Sequence, residues 1–369
     1  RSRGEAGAFR AESRASGIAG PAFGAILPPG HHRPAVAWQR YLADQGWAGL
    51  HWPVANGGRG LSRAHTAVWF EECARARVAP YLNLQGLILA GEALLRSGTD
   101  AQRERFLRPT LTGEILWCQL FSEPGAGSDL AGLATAAVRD GDHWVLNGQK
   151  VWCSNGQFAQ FGILLARTDP DARKHRGISF FCLDMTSPGV EVRPLRQMTG
   201  DEEFCEVFFD DVIVPADALL GPEHDGWRVA MEVLGDERSS VGASGAIGLE
   251  QRLTELAAAG AGDDPLAVDE LAGLLARGHA LRALLDRRGD DVALAPAAKL
   301  LRTEVDLAAT ELTAAFRGAD ALLLDETTEQ FLYAPGMRIA GGTSEIQRNI
   351  IGERLLGLPR EPSPARVQA

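Results

Sequence analysis

Apolar residues in the first third of the chain recur at helical spacing. From position 35 to about 114 they return with the period of an α-helix that buries one face, and a glycine-rich turn at 56–60 interrupts them. Members of this pattern are Val36, Trp38, Tyr41 and Leu42, and later Leu87, Leu89, Leu94 and Leu95. The sequence therefore predicts an all-helical first third.

The pattern changes near Ile115 to short runs rich in β-branched and aromatic residues. Asn147-Gly148 separates the runs at 144–146 and 150–152, and this dipeptide is a strong hairpin signal because both of its residues tolerate a positive φ. Further runs lie at 161–166, 178–183, 190–192 and 207–209. We expect a compact antiparallel β domain with a hairpin turn at Asn147-Gly148.

The helical period returns after Gly226, where Trp227, Met231 and Leu234 lie on one stripe. Long segments rich in Ala, Leu and Arg follow at 249–324, so the last third is predicted to be a helical bundle. The fold class is α+β. We expect an N-terminal helical domain at 1–115, a central antiparallel β domain at 116–222 and a C-terminal helical bundle at 223–369.

Length and composition limit the classes of function. The chain has 369 residues, 45% of them hydrophobic and 23% charged, which is typical of a soluble globular protein with a substantial core. A formal charge of −11 argues against broad nucleic-acid binding, which needs a cationic surface. No run approaches the roughly 18 apolar residues that cross a bilayer, and the first residues lack a signal-peptide pattern. We expect a cytoplasmic protein that binds neither nucleic acid nor membrane.

The five cysteines are expected to be reduced and structural. They are odd in number and scattered, and neither CxxC pairs nor histidine spacing suggests zinc. No metal site is predicted. The cysteines are Cys73, Cys118, Cys153, Cys182 and Cys205.

A candidate ligand-binding loop lies at 117–129, where a strand-like run meets the turn Gly125-Ala126-Gly127-Ser128. Backbone N–H groups in such a turn can face a ligand without obstruction, so the loop can hold a flat heterocycle or an anion. For this motif taken alone, a tight loop without a ligand is the alternative.

Trp152 and Ser154 are two residues apart on a predicted strand and therefore project from the same face. An aromatic plate beside a hydroxyl suits one face and one edge of an isoalloxazine ring. The alternative is a core tryptophan beside a serine that pairs with nearby backbone.

The run Asp236-Glu237-Arg238 lies within a predicted helix that has apolar neighbouring positions, so its charges are expected to be partly buried. Burial disfavours an ionised carboxyl and can tune it for proton transfer, whereas a nearby arginine opposes that shift. A structural ion pair is the alternative.

Near the end of the chain, Gly341-Gly342 precedes Thr343-Ser344 and a predicted helix. This pattern predicts a capped helix start with a close backbone approach. In an ordinary helix start, Glu345 would be a partner of the helix dipole rather than a base.

Three segments in matching order resemble the acyl-CoA dehydrogenase family: FSEPGAGSD at 121–129, LNGQKVWCSN at 146–155 and GTSEIQRN at 342–349. Residues 46–58 also resemble the family's first domain, so the resemblance spans nearly the whole chain. It implies a helical domain, a β domain and a helical bundle, with FAD between the last two, in a dimer or tetramer.

The resemblance also implies roles for single residues. Thr343 and Gln347 would help to hold FAD, and Ser128 and Arg238 would lie along the acyl-CoA tunnel. The family polarises the thioester carbonyl with a flavin ribityl hydroxyl and with a backbone N–H, here that of Gly341. The implied contacts of the flavin ring are Gln119, Phe121, Ser122, Gly127, Ser128, Trp152 and Ser154.

In this family a carboxylate removes the α proton while hydride leaves the β carbon for flavin N5. Many members carry that glutamate directly before the Gly-Thr pair, where this chain has Gly341. Members similar to isovaleryl-CoA and long-chain dehydrogenases place it on the first helix of the last domain, before an arginine. Glu237 before Arg238 matches that arrangement, so the resemblance implies Glu237 as the base.

The arginine-rich FAD segment and the Gln-x-x-Gly-Gly motif, which normally serves a neighbouring subunit's FAD, are not found. This loss resembles members that work as mixed tetramers, so both a homo-oligomer and a hetero-oligomer are open. We expect a dehydrogenase of an acyl-CoA or acyl carrier thioester, with an electron-transfer flavoprotein as acceptor. The alternatives are a non-catalytic partner subunit and a flavin oxidase or monooxygenase on the same fold.

Overall fold

The computed structural model describes residues 32–76, 81–259, 264–288 and 292–360; within these ranges the description excludes the side chains of 236–245 and of residues that border the gaps. The chain divides into two compact units, Arg1–Gly248 and Leu249–Ala369. The three-domain boundaries expected at 115/116 and 222/223 stay predictions.

The first unit begins with helices, as the apolar period predicts. A π-helical turn at Gly86–Ala90 leads into α3, and α4 begins with a capping box in which Thr99 and Gln102 bond each other's backbone N–H groups. Buried side chains at the predicted helical spacing, among them Trp38, Leu42 and Leu94, form one core. The helices are α1 (His32–Asp44), α2 (Arg63–Ala76), α3 (Gly91–Ser97) and α4 (Asp100–Thr112).

Asn83 connects the end of the helical segment to the first strand, β1 (Trp117–Leu120). Its Nδ2 donates to the carbonyls of Thr110 and Ile115 at 2.8 and 2.7 Å, and its Oδ1 accepts from the Trp117 N–H at 3.2 Å. The side chain is buried, so these bonds form away from water. Asn83 therefore fixes where β1 begins, and the candidate loop follows that strand directly.

The β domain is a curled sheet of seven strands in the described residues. Its order is β1-β4-β2-β3-β7-β6, with β5 paired to β4. Four of the pairings are antiparallel, as expected, whereas β4 pairs in parallel with both β1 and β2. The remaining strands are β2 (Ala136–Asp140), β3 (His143–Ser154), β4 (Phe161–Arg167), β5 (Ile178–Asp184), β6 (Val190–Leu195) and β7 (Phe204–Pro215).

The hairpin turn expected at Asn147-Gly148 is wrong. Both residues lie inside β3, at a bulge in its pairing with β7. The Asn147 amide donates through Nδ2 to Asp211 Oδ1 and accepts the Asp211 N–H through Oδ1, both at 2.9 Å. The asparagine side chain thus joins the two strands where their regular ladder is interrupted.

Gly148 is required by this bulge rather than by a turn. Its φ is +146°, and a Cβ there would lie 2.6 Å from Thr135 Oγ1 and 2.7 Å from Thr135 Cα. The observed hairpin joins β2 to β3, with Asp140 opposite His143 and Gly141 at a φ of +60° between them. The local dipeptide signal was therefore overridden by the pairing of a long strand with β7.

The last third is helical, as predicted. Helix α5 contains the border between the two units at Gly248. No helix in the described ranges is both long and apolar enough to cross a bilayer. The helices are α5 (Gly226–Ala259), α6 (Pro265–Arg288), α7 (Ala295–Arg317), α8 (Glu326–Ile339) and α9 (Ser344–Ile350).

Asn83→Ala should lower the free energy of unfolding by about 3 kcal/mol or more. Three buried backbone groups lose their partner, and each unsatisfied group costs about 1–3 kcal/mol. Denaturant unfolding followed by circular dichroism measures the change. Asn349→Ala, which truncates an exposed asparagine on α9, is the matched control and should stay within about 0.5 kcal/mol of the wild type. Equal effects of the two substitutions would contradict this role of Asn83.

Candidate functional site

The candidate loop after β1 is a tight turn closed by two backbone hydrogen bonds. The Glu123 N–H donates to the Ala126 carbonyl at 3.1 Å, and the Ala126 N–H donates back to the Glu123 carbonyl at 3.0 Å. A Cβ added to Gly125 or Gly127 would meet no atom within 4 Å, and neither glycine has a positive φ. The packing of the chain therefore does not require glycine at these positions, and their small size leaves the outer side of the loop clear.

A buried ion pair holds this loop against β3. Lys150 Nζ lies 2.8 Å from Glu123 Oε1 and donates to the Phe121 carbonyl at 2.9 Å. The Lys150 side chain is fully buried and that of Glu123 is 8% exposed. The carboxylate also accepts the N–H of Ala134 at 2.6 Å and of Thr135 at 2.9 Å. One carboxylate thus joins the loop, β3 and the segment that leads into β2.

The electrostatics of this pair favour its ionised form at neutral pH. Burial acts against a charged Glu123, but the attraction of Lys150 and the hydrogen bonds to the carboxylate outweigh it and lower the pKa of Glu123. Burial lowers the pKa of Lys150 to about 8, and Glu123 opposes that fall. Both groups therefore remain charged at pH 7, where each satisfies the other.

Beyond Lys150 the strand presents Trp152 to solvent. The Val151 N–H donates to the Ser122 carbonyl at 2.9 Å, which brings this end of β3 beside the loop. Cys153 is buried, whereas Trp152 on one side of it is exposed and Ser154 on the other is half-buried. The pairing of β3 with β7 shifts register between Lys150 and Cys153, so the shared face expected for Trp152 and Ser154 stays a prediction.

Trp152 has an unusual conformation for a large residue. It is 57% exposed, and its φ of +61° lies in the left-handed region, which costs a bulky side chain about 1–3 kcal/mol. Phe204 contacts it in a T-shaped arrangement with ring centroids 6.0 Å apart. Strain of this kind clusters at ligand sites, and here it leaves most of an indole ring open to a planar ligand.

The structure brings the predicted flavin contacts of the first unit to one region, in different environments. Phe121 is buried against Phe180, with ring centroids 5.8 Å apart, and therefore supports the loop from the core. Gln119, Ser122 and Ser154 are half-buried, and Gly127 and Ser128 are exposed.

A second candidate region lies in the second unit, at the turn between α8 and α9. Thr343 caps α9, and its Oγ1 accepts the Ile346 N–H at 3.3 Å. Gln347 is fully buried, and its Nε2 donates to the carbonyls of Gly341 and Gly342 at 3.0 and 3.1 Å. Gln347 Oε1 and Ser344 Oγ are buried without a hydrogen-bond partner among the described residues. Unsatisfied buried polar atoms are rare, so the hydrogen-bonding capacity of these two atoms that is left unused marks this turn as unusual.

The two glycines of this turn are required by the backbone. Gly341 has a φ of +66° and Gly342 a φ of +98°, both in the region that favours glycine. A Cβ on Gly342 would also lie 2.6 Å from Gln347 Nε2. Around Gly341 the space is open, because a Cβ there would meet no atom within 4 Å. A side chain at 341 would have room but would adopt a strained backbone.

Glu237 and Arg238 lie in helix α5, but their side chains are outside the described residues. Their predicted roles as base and substrate contact therefore stay predictions. Among the described residues, no three His, Cys, Asp or Glu side chains lie together in a way that could hold a metal ion. The five cysteines are unpaired and buried.

Sequence reasoning missed Glu123 and Lys150 as the residues that organise the loop. A signal was present, because Lys150 follows Trp144 and Leu146 in phase, on the buried side of the strand. A charged residue at a position that faces the buried side of a strand is costly unless it is paired, so it predicts a buried partner of opposite charge. It also missed Lys299 on α7, whose Nζ donates to carbonyls on both sides of Gly341.

Three family models match consecutive parts of this chain. The acyl-CoA dehydrogenase N-terminal domain matches residues 30–114, the acyl-CoA dehydrogenase middle domain matches 118–212, and the acyl-CoA dehydrogenase C-terminal domain matches 224–356. Both candidate regions fall within these matches.

Individual proteins are similar over nearly the whole length. Acyl-CoA dehydrogenase IpdE1 of Mycolicibacterium smegmatis is 41% identical over an alignment that covers 96% of this chain and 98% of that protein. The structure of the ChsE4-ChsE5 complex from Mycobacterium tuberculosis aligns with a TM-score of 0.81 and 30% identity, over 97% of this chain and 98% of that one. The Tcur3481-Tcur3483 steroid ACAD aligns with a TM-score of 0.83 and 26% identity, over the same shares.

Glu123→Gln should lower the free energy of unfolding by about 3–5 kcal/mol, because it leaves the Lys150 ammonium buried without a counter-charge. Glu123→Gln combined with Lys150→Met should cost less than the sum of the single changes, with a coupling of at least about 1 kcal/mol. Denaturant unfolding of the four proteins at pH 7 measures this coupling. Additive effects would show that the pair does not act as a unit.

The same stabilisation should disappear in acid. The pKa of Glu123 is lowered in the folded chain, so below its usual value of 4.5 the unfolded chain binds more protons than the folded one. The contribution is complete above that value and is lost as the pH falls through the lowered pKa. The stability difference between the wild type and Glu123→Gln should therefore shrink from pH 7 to pH 3. A difference that grows in acid is the contrary result.

Proposed function

The chain belongs to the acyl-CoA dehydrogenase family, and from this premise we propose that it oxidises the α,β carbon–carbon bond of an acyl thioester with FAD as its cofactor. The observation that carries the proposal is the candidate loop held beside the exposed, strained Trp152 by a buried ion pair. Members of this family are flavoproteins, and a planar aromatic surface beside open backbone suits a flavin.

The residues present fit FAD. In the first unit, Trp152 offers an exposed indole ring, Ser154 two residues later offers a half-buried hydroxyl, and Gly127 leaves the loop unobstructed. In the second unit, Gln347 retains a buried carbonyl oxygen without a partner, next to the cap residue Thr343. We assign Gln119, Phe121, Ser122, Gly127, Ser128, Trp152 and Ser154 to the flavin ring, and Thr343 and Gln347 to the rest of FAD.

When bound, FAD supplies the acceptor for the hydride that leaves the β carbon. The chain itself must remove the α proton and make that proton acidic enough to leave. The Gly341 N–H is assigned to the thioester carbonyl, where a hydrogen bond stabilises the negative charge that develops as the proton departs. Ser128 and Arg238 are assigned to the acyl-CoA.

Glu237 is the proposed base. Many family members carry the catalytic glutamate at the position where this chain has Gly341. The φ of Gly341 is +66°, which disfavours any residue with a side chain. The carboxylate must then come from another element. Glu237 on α5, directly before Arg238, matches the alternative position in the family. A carboxylate at this position takes the α proton as a general base.

A second candidate function is that of a partner subunit in a hetero-oligomer. Two of the similar solved structures, ChsE4-ChsE5 and Tcur3481-Tcur3483, are named for two different chains. In that case this chain would complete a cofactor site together with a non-identical homologue. For either candidate, an electron-transfer flavoprotein is the proposed electron acceptor.

The purified protein should be yellow, and anaerobic addition of a matching acyl thioester should bleach its flavin absorbance. A panel of straight-chain, dicarboxylic and steroid-derived thioesters, each linked to CoA and to acyl carrier protein, identifies the substrate class. A flavin that no thioester reduces until a homologous chain is added would favour the partner subunit. Stoichiometric oxygen consumption during turnover would instead favour an oxidase.

Glu237→Gln should retain FAD but reduce the rate of flavin reduction by about 10²–10⁴-fold, because the general base is lost. Stopped-flow absorbance at saturating thioester measures this rate. Glu232→Gln is the matched control on the same helix; its carboxylate pairs with Arg228 at 2.8 Å, and its loss should leave the rate within a factor of about two. A Glu237→Gln protein as fast as the control would disprove the assignment.

A further inference from the structure

The turn that contains Gly341 is held at both ends by one lysine. Lys299 lies on α7 and is half-buried. Its Nζ donates to the Arg338 carbonyl at 3.0 Å and to the Gly342 carbonyl at 2.8 Å. Arg338 lies in the last turn of α8, and Gly342 directly follows Gly341. One ammonium group therefore fixes the distance between the helix end and the residue after Gly341.

Gln347 holds the same turn from α9. Its Nε2 donates to the carbonyls of both Gly341 and Gly342. The Gly342 carbonyl therefore accepts hydrogen bonds from two side chains on two different helices. These bonds restrain both peptide groups that follow Gly341, and the bond to Arg338 restrains the chain before it.

Such restraints matter because two consecutive glycines have little conformational preference of their own. Both adopt positive φ here, and a Cβ on Gly342 would lie 2.6 Å from Gln347 Nε2 and 3.4 Å from Ile346 Cγ2. Without the hydrogen bonds from Lys299 and Gln347, which together clamp this turn, the Gly-Gly segment would populate several conformations. Charge-assisted hydrogen bonds are about twice as strong as neutral ones, so Lys299 is the stronger of the two restraints.

The choice of lysine is itself informative. Only three of the 37 basic residues in the chain are lysines, and two of them, Lys150 and Lys299, donate to backbone carbonyls from buried or half-buried positions. A compact ammonium can bridge two carbonyls that point in different directions, whereas the planar fork of arginine matches a carboxylate. In both candidate regions a compact ammonium group therefore restrains the backbone.

We propose that Lys299 is a positioning residue for the reaction: by clamping the turn on both sides of Gly341, it holds the Gly341 N–H where the thioester carbonyl is polarised. This inference rests on the proposed function. Lys299 acts through the backbone and does not itself contact substrate.

Lys299→Met tests this role, because it keeps the apolar stem and removes the donors. We expect the rate of flavin reduction at saturating thioester to fall about 10–100-fold, since misplacement of a catalytic group by about 1 Å can cost 10² in rate. The FAD content and the melting temperature should change little. Arg348→Met is the matched control, because Arg348 links α9 to α7 through Glu304 at 2.5 Å without a bond to the glycines.

A second readout isolates polarisation of the carbonyl. A thioester with α hydrogens and no β hydrogen cannot be oxidised, but its α protons exchange with D₂O when its carbonyl is polarised beside a base. The exchange rate, followed by NMR, should fall in Lys299→Met by a factor similar to the reduction rate. Lys299→Arg should not restore the wild-type rate, because the planar guanidinium directs its donors differently from an ammonium and would hold the two carbonyls at other positions.

Three results would overturn the inference. Lys299→Met could reduce its flavin and exchange α protons as fast as the wild type. It could instead lose FAD or melt earlier while the rate per bound FAD is unchanged, which would indicate a structural role. Full activity of Lys299→Arg would indicate that charge alone matters. A wild-type protein that no thioester reduces would overturn the proposed function itself, and this result is distinct from the other three.

Discussion

The buried pair of Glu123 and Lys150 is the interaction on which the first candidate region depends. The two residues bond each other, and their remaining hydrogen bonds go to backbone groups of two segments, the loop after β1 and the chain before β2. Lys150 itself lies on β3, so the pair joins three segments. A buried ion pair contributes little net stability compared with apolar packing, but it is costly to break. An ion pair of this kind therefore fixes the conformation of the loop more than it stabilises the fold, because alternative arrangements of the loop would leave a charge unpaired.

The turn between α8 and α9 follows a similar principle with different residues. Here Lys299 and Gln347 donate to backbone carbonyls, so two conformationally free glycines are held in one arrangement. In both candidate regions the backbone is rich in glycine or other small residues, and polar side chains restrain it through hydrogen bonds. Open surface and rigid backbone are otherwise hard to combine, because the glycines that provide clearance also provide flexibility.

The order of helical, β and helical parts followed from the periodicity of apolar residues, because each period depends only on which face of an element is buried. The runs at 161–166 and 178–183 became β4 and β5 with small changes in their ends. The turn predicted at Asn147-Gly148 was wrong, because that prediction rested on two residues and not on the burial of a whole element. Its residues tolerate a turn, but a turn is only one of the structures that a positive φ permits, and pairing with β7 places both residues inside β3, opposite a bulge.

The sequence by itself determined the family and the succession of elements, and it drew attention to the loop after β1 and the turn before α9, since these depend on local pattern and on motif order. Tertiary structure alone decided the partners: that Lys150 pairs with Glu123, 27 residues away, and that Lys299 clamps a carbonyl 43 residues away. Periodicity indicates that a side chain is buried but not what it meets, because long-range partners depend on how the chain folds back on itself. The residues that hold the candidate regions in shape therefore became apparent only when the elements were assembled.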